Sequence, residues 1–449
     1  MPAPTVISDT ELTGLLKNVY SQFREKVQNL VTPLLAQLEK GRAGGPRNMR
    51  WGGNNVFFDV VVGRPAGATF SQSGYFPPDT TATEVQGSVG VVRAYTTRQI
   101  DGLAFVGTQS KDAAFTTIAK KTMEEIKEAS TLLMQQALHN KPDGVVALVS
   151  SWSNPNLVVN SPYGIASSGN GGLLVSVGDY IAVLDAATVA VKIRGTVGSI
   201  STSGDNATLG LTGITGAGTP VASDLVVKAT TSDTSYVNAM NGLVNITNRG
   251  NGYASGNWTG TSTSKALHGI SAATYPIWDA TRMVAGTDTP DNTTPTESDI
   301  WDLIQRIAGK SGKDAMTRPK DFLLLTTPGI GKKLMESMVG QRRFTASEFS
   351  TTIKGGYKAI EVCGIPCVMD YYVPAGTIYL IHIPSLAWVD AKDWGFVEFE
   401  GAGPWRWLQG RDAFETTYGW YGNLACLARN AHGSITSYID TARYAHIGS

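Results

Sequence analysis

Four groups of residues have types and spacings that suit chemistry. The segment Phe322-Leu-Leu-Leu-Thr-Thr-Pro328-Gly329-Ile330-Gly331-Lys332-Lys333 runs from a hydrophobic strand into a helix through Gly-x-Gly-Lys, a turn of the kind whose backbone N–H groups can cradle a phosphate. A phosphate loop, however, needs a glycine, four residues and then Gly-Lys-Ser/Thr. Here Thr326 stands at the first-glycine position, Lys333 where the magnesium-binding hydroxyl belongs, and Leu334 where a dinucleotide fingerprint needs its third glycine. The segment therefore reads as a plain strand-to-helix turn. Glu398 and Glu400 alternate on a predicted strand, Phe396 to Glu400, amid Trp388, Trp394, Trp405, Trp407 and Trp420. Carboxylates two residues apart on a strand sit ~6.6–7 Å apart, within the roughly 5–10 Å that separates glycosidase carboxylates. That pattern would serve a sugar-cleaving or sugar-binding cleft. Two glutamates on one strand do not bracket a bond from opposite sides, so a solvated face over an aromatic core fits better.

The other two groups concern metals and phosphate contacts. Cys363 and Cys367 are spaced Cys-x-x-x-Cys across a Gly-Ile-Pro turn, with Cys426 far away; no second close pair completes a metal site, and buried thiols are expected. His139, His268, His382, His432 and His446 are scattered without a His-Glu-x-x-His helix, and no Gly-x-Ser-x-Gly elbow is present. Lys40, Arg42, Arg47 and Arg50 in a glycine-rich linker suit either phosphate contacts or a solvated linker. Asn206, Asn245, Asn257 and Asn292 head Asn-x-Ser/Thr triplets, which are expected by chance in a chain so rich in Ser and Thr. No catalytic, cofactor or metal site is predicted.

Composition sets the frame around these groups. In 449 residues there are 37 basic and 37 acidic side chains, so the chain as a whole lacks the electrostatic footprint of a nucleic-acid or anionic-membrane binder. Charged residues are only 16% and glycines number 50, which marks a turn-rich, β-rich chain. Three cysteines cannot build a disulfide framework. Met-Pro-Ala-Pro-Thr at the start shows no secretory signal, which predicts synthesis in a cytosol. The most apolar window, Gly172 to Ile193, is interrupted by Asp179 and Asp185, and no run reaches the ~18 apolar residues of a membrane span.

The elements follow from periodicity. Ser8 and Glu11 form a capping-box signature, and Leu12, Leu15, Leu16, Val19, Phe23, Val27 and Leu30 recur at helical spacing, with Leu34, Leu35 and Leu38 extending the stripe past Pro33. This predicts an amphipathic arm that needs a surface to lie on. Asn55 to Val62 alternates with Phe58, Val60 and Val62 on one face, and Val89 to Tyr95 alternates again, which predicts a long projecting hairpin resting on a neighbour. Asp112 to His139 carries the strongest helical stripe, through Phe115, Ile118, Met123, Ile126, Ser130 and Leu133. At ~1.5 Å per residue it would span about 42 Å.

From about Ser150 to Asp233 the composition shifts to Gly, Ser, Thr, Ala and Val. Leu173 to Val177, Tyr180 to Leu184, Val189 to Ile193, Val197 to Ile200, Ala207 to Leu211 and Leu225 to Val227 are predicted short strands of an inserted barrel or sandwich. The remainder is mixed: a helix on Ile300, Leu303, Ile304 and Ile307, a buried strand Phe322 to Leu325, and a helix Ile330 to Val339. Strands are predicted at Tyr357 to Val373, Thr377 to Ile383, Phe396 to Glu400, Glu415 to Trp420 and Asn423 to Arg429.

This order of parts resembles that of the tailed-bacteriophage major capsid proteins, whose fold is named after phage Hong Kong 97. The resemblance is carried by Asn241-Gly-Leu-Val-Asn-Ile-Thr247 and Tyr275-Pro-Ile-Trp278, by Pro319-Lys-Asp-Phe-Leu-Leu-Leu325, by Gly364-Ile-Pro-Cys-Val-Met-Asp370 with Val373-Pro-Ala-Gly-Thr-Ile-Tyr379, and by Arg429-Asn-Ala-His-Gly-Ser-Ile435. It implies an α+β capsid fold divided as follows: N-terminal arm 1–50, E-loop 51–103, peripheral domain with spine helix 104–149, inserted β-barrel 150–235, axial domain and part of the peripheral domain 236–394, and peripheral-domain strands 395–449. The implied function is a non-enzymatic major capsid protein that assembles into pentamers and hexamers of an icosahedral virion in the host cytoplasm.

Implied partners are copies of itself, a separate scaffolding protein, portal and decoration proteins, and non-specific packaged double-stranded DNA, with no membrane. Expected assembly contacts are Leu12, Leu16, Val19 and Phe23 on the arm and Phe58, Val60, Arg64, Tyr75, Phe76 and Arg93 on the loop. Between Val56 and Arg98 there is no lysine, so an isopeptide weld through the loop is not expected, and neither is removal of a propeptide. Two other readings stay open: an encapsulin-like nanocompartment shell, and a secreted carbohydrate-active β-rich protein using Glu398 and Glu400.

Overall fold

A computed structural model describes residues 49–63, 82–107, 118–165, 170–229, 239–247, 266–289, 294–339, 360–398 and 404–440, together with Leu34, Leu35 and Leu38. Strands β1 (Met49–Gly52), β2 (Asn55–Gly63) and β3 (Thr83–Gly90) form a three-stranded antiparallel ribbon. At Val91 the chain turns, its N–H bonding the Asn54 carbonyl at 3.2 Å. Strand β4 (Val92–Asp101) then leaves the ribbon for another sheet, so the single strand predicted from Val89 to Tyr95 is two. The Asp101 carboxylate accepts the Leu103 and Ala104 N–H groups and starts the short helix α1 (Gly102–Gly107). The long helix predicted from Asp112 is described from Ile118, as α2 (Ile118–His139). Of the predicted stripe Ile126 and Ser130 are buried while Met123 and Leu133 are half-buried; the buried face runs instead through Thr122, Ile126, Ser130, Met134 and Leu138.

Six strands then close a barrel: β5 (Val145–Ser153), β6 (Asn156–Asn160), β7 (Tyr180–Leu184), β8 (Val191–Ser203), β9 (Asn206–Thr215) and β10 (Leu225–Lys228), in the order β10-β5-β6-β9-β8-β7. Three expectations change here. The barrel starts at Val145 rather than Ser150. Val191 to Ile193 of one predicted strand and Val197 to Ile200 of the next belong to one strand, β8, whose pairing with β9 slips twice, while Val189 precedes it at φ 59°. Leu173 to Val177 is a chain of turns that drops Leu174 and Val175 into the barrel core without joining the ladder.

The body follows. Helix α3 (Leu243–Thr247) and the small hairpin of β11 (Ala266–Leu267) and β12 (Ile270–Ser271) precede β13 (Thr281–Val284). Helix α4 (Glu297–Ser311) opens on a reciprocal capping box between Thr296 and Asp299 and ends at Gly312 with φ 70°, features worth about 1 kcal/mol each. Next come β14 (Phe322–Thr326), α5 (Pro328–Val339), β15 (Ile360–Val362), β16 (Ile365–Met369) and β17 (Ile378–His382). Within the stretch predicted as one strand, Tyr357 to Val373, Ile360–Val362 and Ile365–Met369 form a hairpin turning at Cys363 and Gly364, both at positive φ, and residues 357–359 lie outside the described residues. The last strands are β18 (Leu386–Phe396), β19 (Arg406–Trp407), β20 (Ala413–Cys426) and β21 (Gly433–Thr436).

Two sheets organise the body. One is six-stranded and mixed, β13-β21-β17-β14-β16-β15; in the other, β20 pairs β18 and β19 along one edge and β4 along the other. The strands predicted at Glu415 to Trp420 and Asn423 to Arg429 merge into the single 14-residue β20, which ends at Cys426, short of the predicted Arg429. Strand β14 is buried on both faces: Leu323 and Leu325 enter one core with α2, β18 and β20, while Phe322 and Leu324 enter another with α4 and α5. Leu34, Leu35 and Leu38 are 0%, 5% and 4% exposed in the first of these cores, beside Met134 and Leu138. This end of the arm's apolar stripe therefore lies on its own chain, at about 1.5–3 kcal/mol for each leucine buried.

The barrel is fastened to the body at a buried polar knot. The Asp370 carboxylate accepts Gln135 Nε2 and, at 3.1 Å, His139 Nε2, both from α2, and also the Tyr372 N–H at 2.9 Å. The Tyr163 hydroxyl of the barrel donates to the Tyr372 carbonyl at 2.5 Å, and Tyr372 packs into the barrel's own core. Two polar atoms of the knot, Gln135 Oε1 and His139 Nδ1, are buried without a hydrogen-bond partner among the described residues, each at a cost of about 1–3 kcal/mol.

Candidate assembly surface

The ribbon is two-faced because side chains alternate along a strand. Val56, Phe58, Val60 and Val62 share one face of β2, and Val56, Phe58 and Val60 stand opposite Val89, Gly87 and Val85 of β3. Gly87 faces Phe58 for a steric reason: a Cβ there would lie 2.6 Å from the Phe58 ring. The Phe58 ring meets His268 edge-on at 5.7 Å, and the Ser88 N–H donates to the His268 carbonyl at 2.9 Å. Ile270, Ala272, Trp278, Val389 and Ala425 complete this cluster. The His268 Nε2 accepts the Cys426 N–H at 3.0 Å, and burial pushes its pKa down to about 3, so a neutral imidazole pins the ribbon's base to the end of β20.

This placement corrects the sequence-based expectation for Phe58. At 3% exposure it is a core residue of its own chain and anchors the ribbon, and Val60 is half-buried at the rim of the same cluster. Arg93 is not on the ribbon; it lies on β4, exposed, with its guanidinium 5.9 Å from the Tyr421 ring. Lys392 approaches the same ring at 5.8 Å, and the Tyr95 hydroxyl donates to that of Tyr421 at 3.1 Å. Leu12, Leu16, Val19, Phe23, Arg64, Tyr75 and Phe76 lie outside the described residues.

The residues the ribbon presents outward are others: Trp51, 53% exposed, and Val61, 62% exposed. Val61 was legible in the parity of β2, since it falls between Val60 and Val62 on the opposite face. Trp51 carries no such signal, because β1 is four residues long.

The chemical alternatives do not assemble. Strand β18 stops at Phe396, Glu398 lies beyond it and is exposed, and Glu400 is outside the described residues. Glu398, one of the expected pair, is thus not on the strand. Trp394 stacks on Tyr418 and Trp420 at 5.2 and 6.0 Å, and Trp388 meets Trp420 edge-on at 5.8 Å, a ladder packed between strands rather than a cleft. The Gly-x-Gly-Lys segment lies in the first turns of α5, one residue after β14; the Lys333 ammonium donates to the Ile439 carbonyl and the Thr327 hydroxyl to Asp440 at 2.5 Å. Cys367 and Cys426 are buried, with thiols pushed up to about 12 by desolvation, and Cys363 is half-buried. Among the described residues no group of three or more His, Cys, Asp or Glu side chains is placed to hold a metal ion, and no helix is long and apolar enough to cross a membrane.

No protein-family model matches the chain, and no curated protein matches it in sequence. Solved structures do. A chain of the cyanophage A-1(L) capsid asymmetric unit is similar over 96% of this chain and 99% of its own, at TM-score 0.52 and 12% identity. The holo-SrpI encapsulin complex from Synechococcus elongatus matches over 95% of both chains, at TM-score 0.45 and 10% identity. The capsid of the native GTA particle matches over 94% of this chain and 96% of its own, at TM-score 0.45 and 8% identity. The cyanophage comparison shows the fold: this α+β chain has the fold of a phage capsid protein along nearly its whole length.

Proposed function

We propose that the chain is a shell-forming major capsid protein of a tailed phage, built on the Hong Kong 97-type plan and without catalytic function. The observation that carries this reading is the near end-to-end likeness to a phage capsid chain, 96% of one and 99% of the other. In it the ribbon β1–β3 serves as the E-loop, α2 as the spine of the peripheral domain, much of the chain between residues 236 and 394 as the axial domain, and the barrel as an insertion. The ribbon's outward Trp51 and Val61 fit the role, since an aromatic and an aliphatic side chain on an exposed strand gain most by burial against another surface. Shell contacts need only moderate strength each, because closed symmetry multiplies them. Copies of the chain would form pentamers and hexamers of an icosahedral virion enclosing double-stranded DNA, with a separate scaffolding protein, portal and decoration proteins as further partners, assembled in the host cytoplasm.

Electron microscopy of the purified protein, alone and after raising its concentration, tests the reading. Capsomer rings or closed icosahedral particles are expected. A chain that stays monomeric at every concentration, with Trp51 and Val61 indifferent to substitution, overturns it.

A further inference from the structure

The polypeptide crosses between the six-stranded sheet and the β18/β20/β4 sheet at two places that touch each other. One is the short link Ile383–Ser385 between β17 and β18; the other is the turn around Arg429–Ala431 between β20 and β21. Each carries a buried imidazole, and the two are wired together. The backbone N–H of His382 donates to His432 Nδ1 at 3.3 Å. That nitrogen must therefore hold a lone pair, which makes His432 neutral with its proton on Nε2. Lys313, just past the end of α4, donates its ammonium to Ser385 Oγ at 2.7 Å, and the same oxygen lies 2.6 Å from His382 Nδ1 within the β17–β18 link. In His432 the atom that would take up a proton is already an acceptor for a backbone N–H, which has no other role to switch to.

The surroundings oppose a charge as well. His432 is fully buried, His382 is 8% exposed and lies against Phe322 at 4.9 Å, and Ser385 is 2% exposed. The ionisable groups facing them are Lys313, Arg318 and Asp321 for His382, and Lys313, Arg429 and His382 itself for His432. Arg429 is also buried and has Asp279 at 3.8 Å as its counter-ion. The balance is cationic. Desolvation, followed by these like charges, pushes His382 down to about 4 and His432 down to about 3.

We propose that the paired crossovers form an acid-operated joint: the neutral imidazole of His432 latches the two crossovers together through the His382 backbone N–H, and its protonation breaks that hydrogen bond and frees the sheets to turn against each other. The sign follows from linkage. An opened joint takes up a proton near the ordinary imidazole value of 6.5, while the latched one resists until about 3. Between these values the open-to-latched ratio rises as pH falls, by up to about tenfold per pH unit. The joint belongs to a single chain and does not depend on the shell-forming reading.

Hydrogen–deuterium exchange with mass spectrometry on the full chain, from pH 7.5 to 4.5 and corrected for the intrinsic pH dependence of exchange, reads the joint directly. Peptides covering 380–388 and 425–434 are expected to lose protection tenfold or more by pH 4.5 while the barrel strands β5 to β10 stay protected. The variant His432→Asn, whose side-chain oxygen can accept the same hydrogen bond but does not titrate, is expected to keep both segments protected throughout. Unchanged protection in the unsubstituted chain, simultaneous loss in crossovers and barrel, or identical pH dependence in the variant overturns the proposal. Should the variant fail to fold, NMR titration of the imidazoles in the unsubstituted chain decides: His432 protonating together with crossover opening supports the joint, and His432 titrating without opening overturns it.

Discussion

The barrel and the ribbon are both antiparallel and rich in β-branched residues and glycine, yet they meet the problem of open strand edges in opposite ways. In the barrel β10 pairs with both β5 and β7, so the sheet closes and each strand has two neighbours. Its core of Val, Leu, Ile and Tyr side chains is apolar, and its principal ion cluster, Lys192 between Asp185 and Asp224, locks two turns at its rim. In the ribbon β1 and β3 each pair only with β2 among the described residues; one face is anchored through Phe58, and Trp51 and Val61 face out. A sheet that closes on itself needs no other surface. A ribbon of three strands draws its stability from what it is laid against, first its own body and then, in the reading proposed above, another copy.

The contrast can be tested by substitution. The largest effects are expected in the two anchored cores: Phe58→Ala costs about 3–5 kcal/mol and Leu209→Ala in the barrel about 2–5 kcal/mol in urea unfolding. A Phe58→Ala chain as stable as the original would show that the ribbon's base is not anchored at all. Acid should separate the regions next. Because burial lowers the pKa of His268 to about 3, its contribution is whole above about pH 6.5 and declines as pH falls, by up to about 2 kcal/mol at pH 5. Asp185 loses its contribution in the same direction but in a lower window: N–H groups of Thr188, the Lys192 ammonium and the N–H of Ala187 hold its carboxyl well below the usual carboxylate range, so the barrel's ion cluster weakens only below about pH 4. At pH 5, amide exchange in β3 should therefore quicken while that in β8 does not; the reverse order would remove the distinction.

Smaller still, Gly87→Ala brings a Cβ against the Phe58 ring and is expected to cost about 1–3 kcal/mol, as overpacking does. Trp51→Ala and Val61→Ser should change the stability of the isolated chain by no more than about 0.5 kcal/mol, while reducing particle yield in electron micrographs. A loss of stability in place of a loss of assembly would make these two residues part of the fold's own packing.

Local patterns carried much of the body. The stripe Ile300, Leu303, Ile304 and Ile307 appears as the buried face of α4, and the run Phe322 to Leu325 as a strand covered on both sides. Alternation along Asn55 to Val62 placed Phe58 correctly on an apolar face. Nothing local told whether that face meets another chain or the same one, because His268, Ile270, Trp278 and Ala425 arrive from more than two hundred residues away. The same holds for the candidate chemistry: the glutamate pair was read from a strand running to Glu400, whereas β18 ends at Phe396, one residue before the Val397 N–H that still bonds the Thr417 carbonyl, and Glu398 lies beyond it.

Residue order alone determined the periodic helices, the buried thiols, the absence of net charge and the glycine-rich change of texture that marks the barrel, all of which follow from side-chain type and spacing over a turn or two. Tertiary structure alone decided that six strands close in the order β10-β5-β6-β9-β8-β7, that β4 leaves the ribbon for β20, and that His382 and His432 meet at the two crossovers. The physical reason is range. Periodicity reports which side of an element avoids water, whereas strand partners and buried hydrogen bonds are chosen by groups distant in the chain competing for the same donors and acceptors.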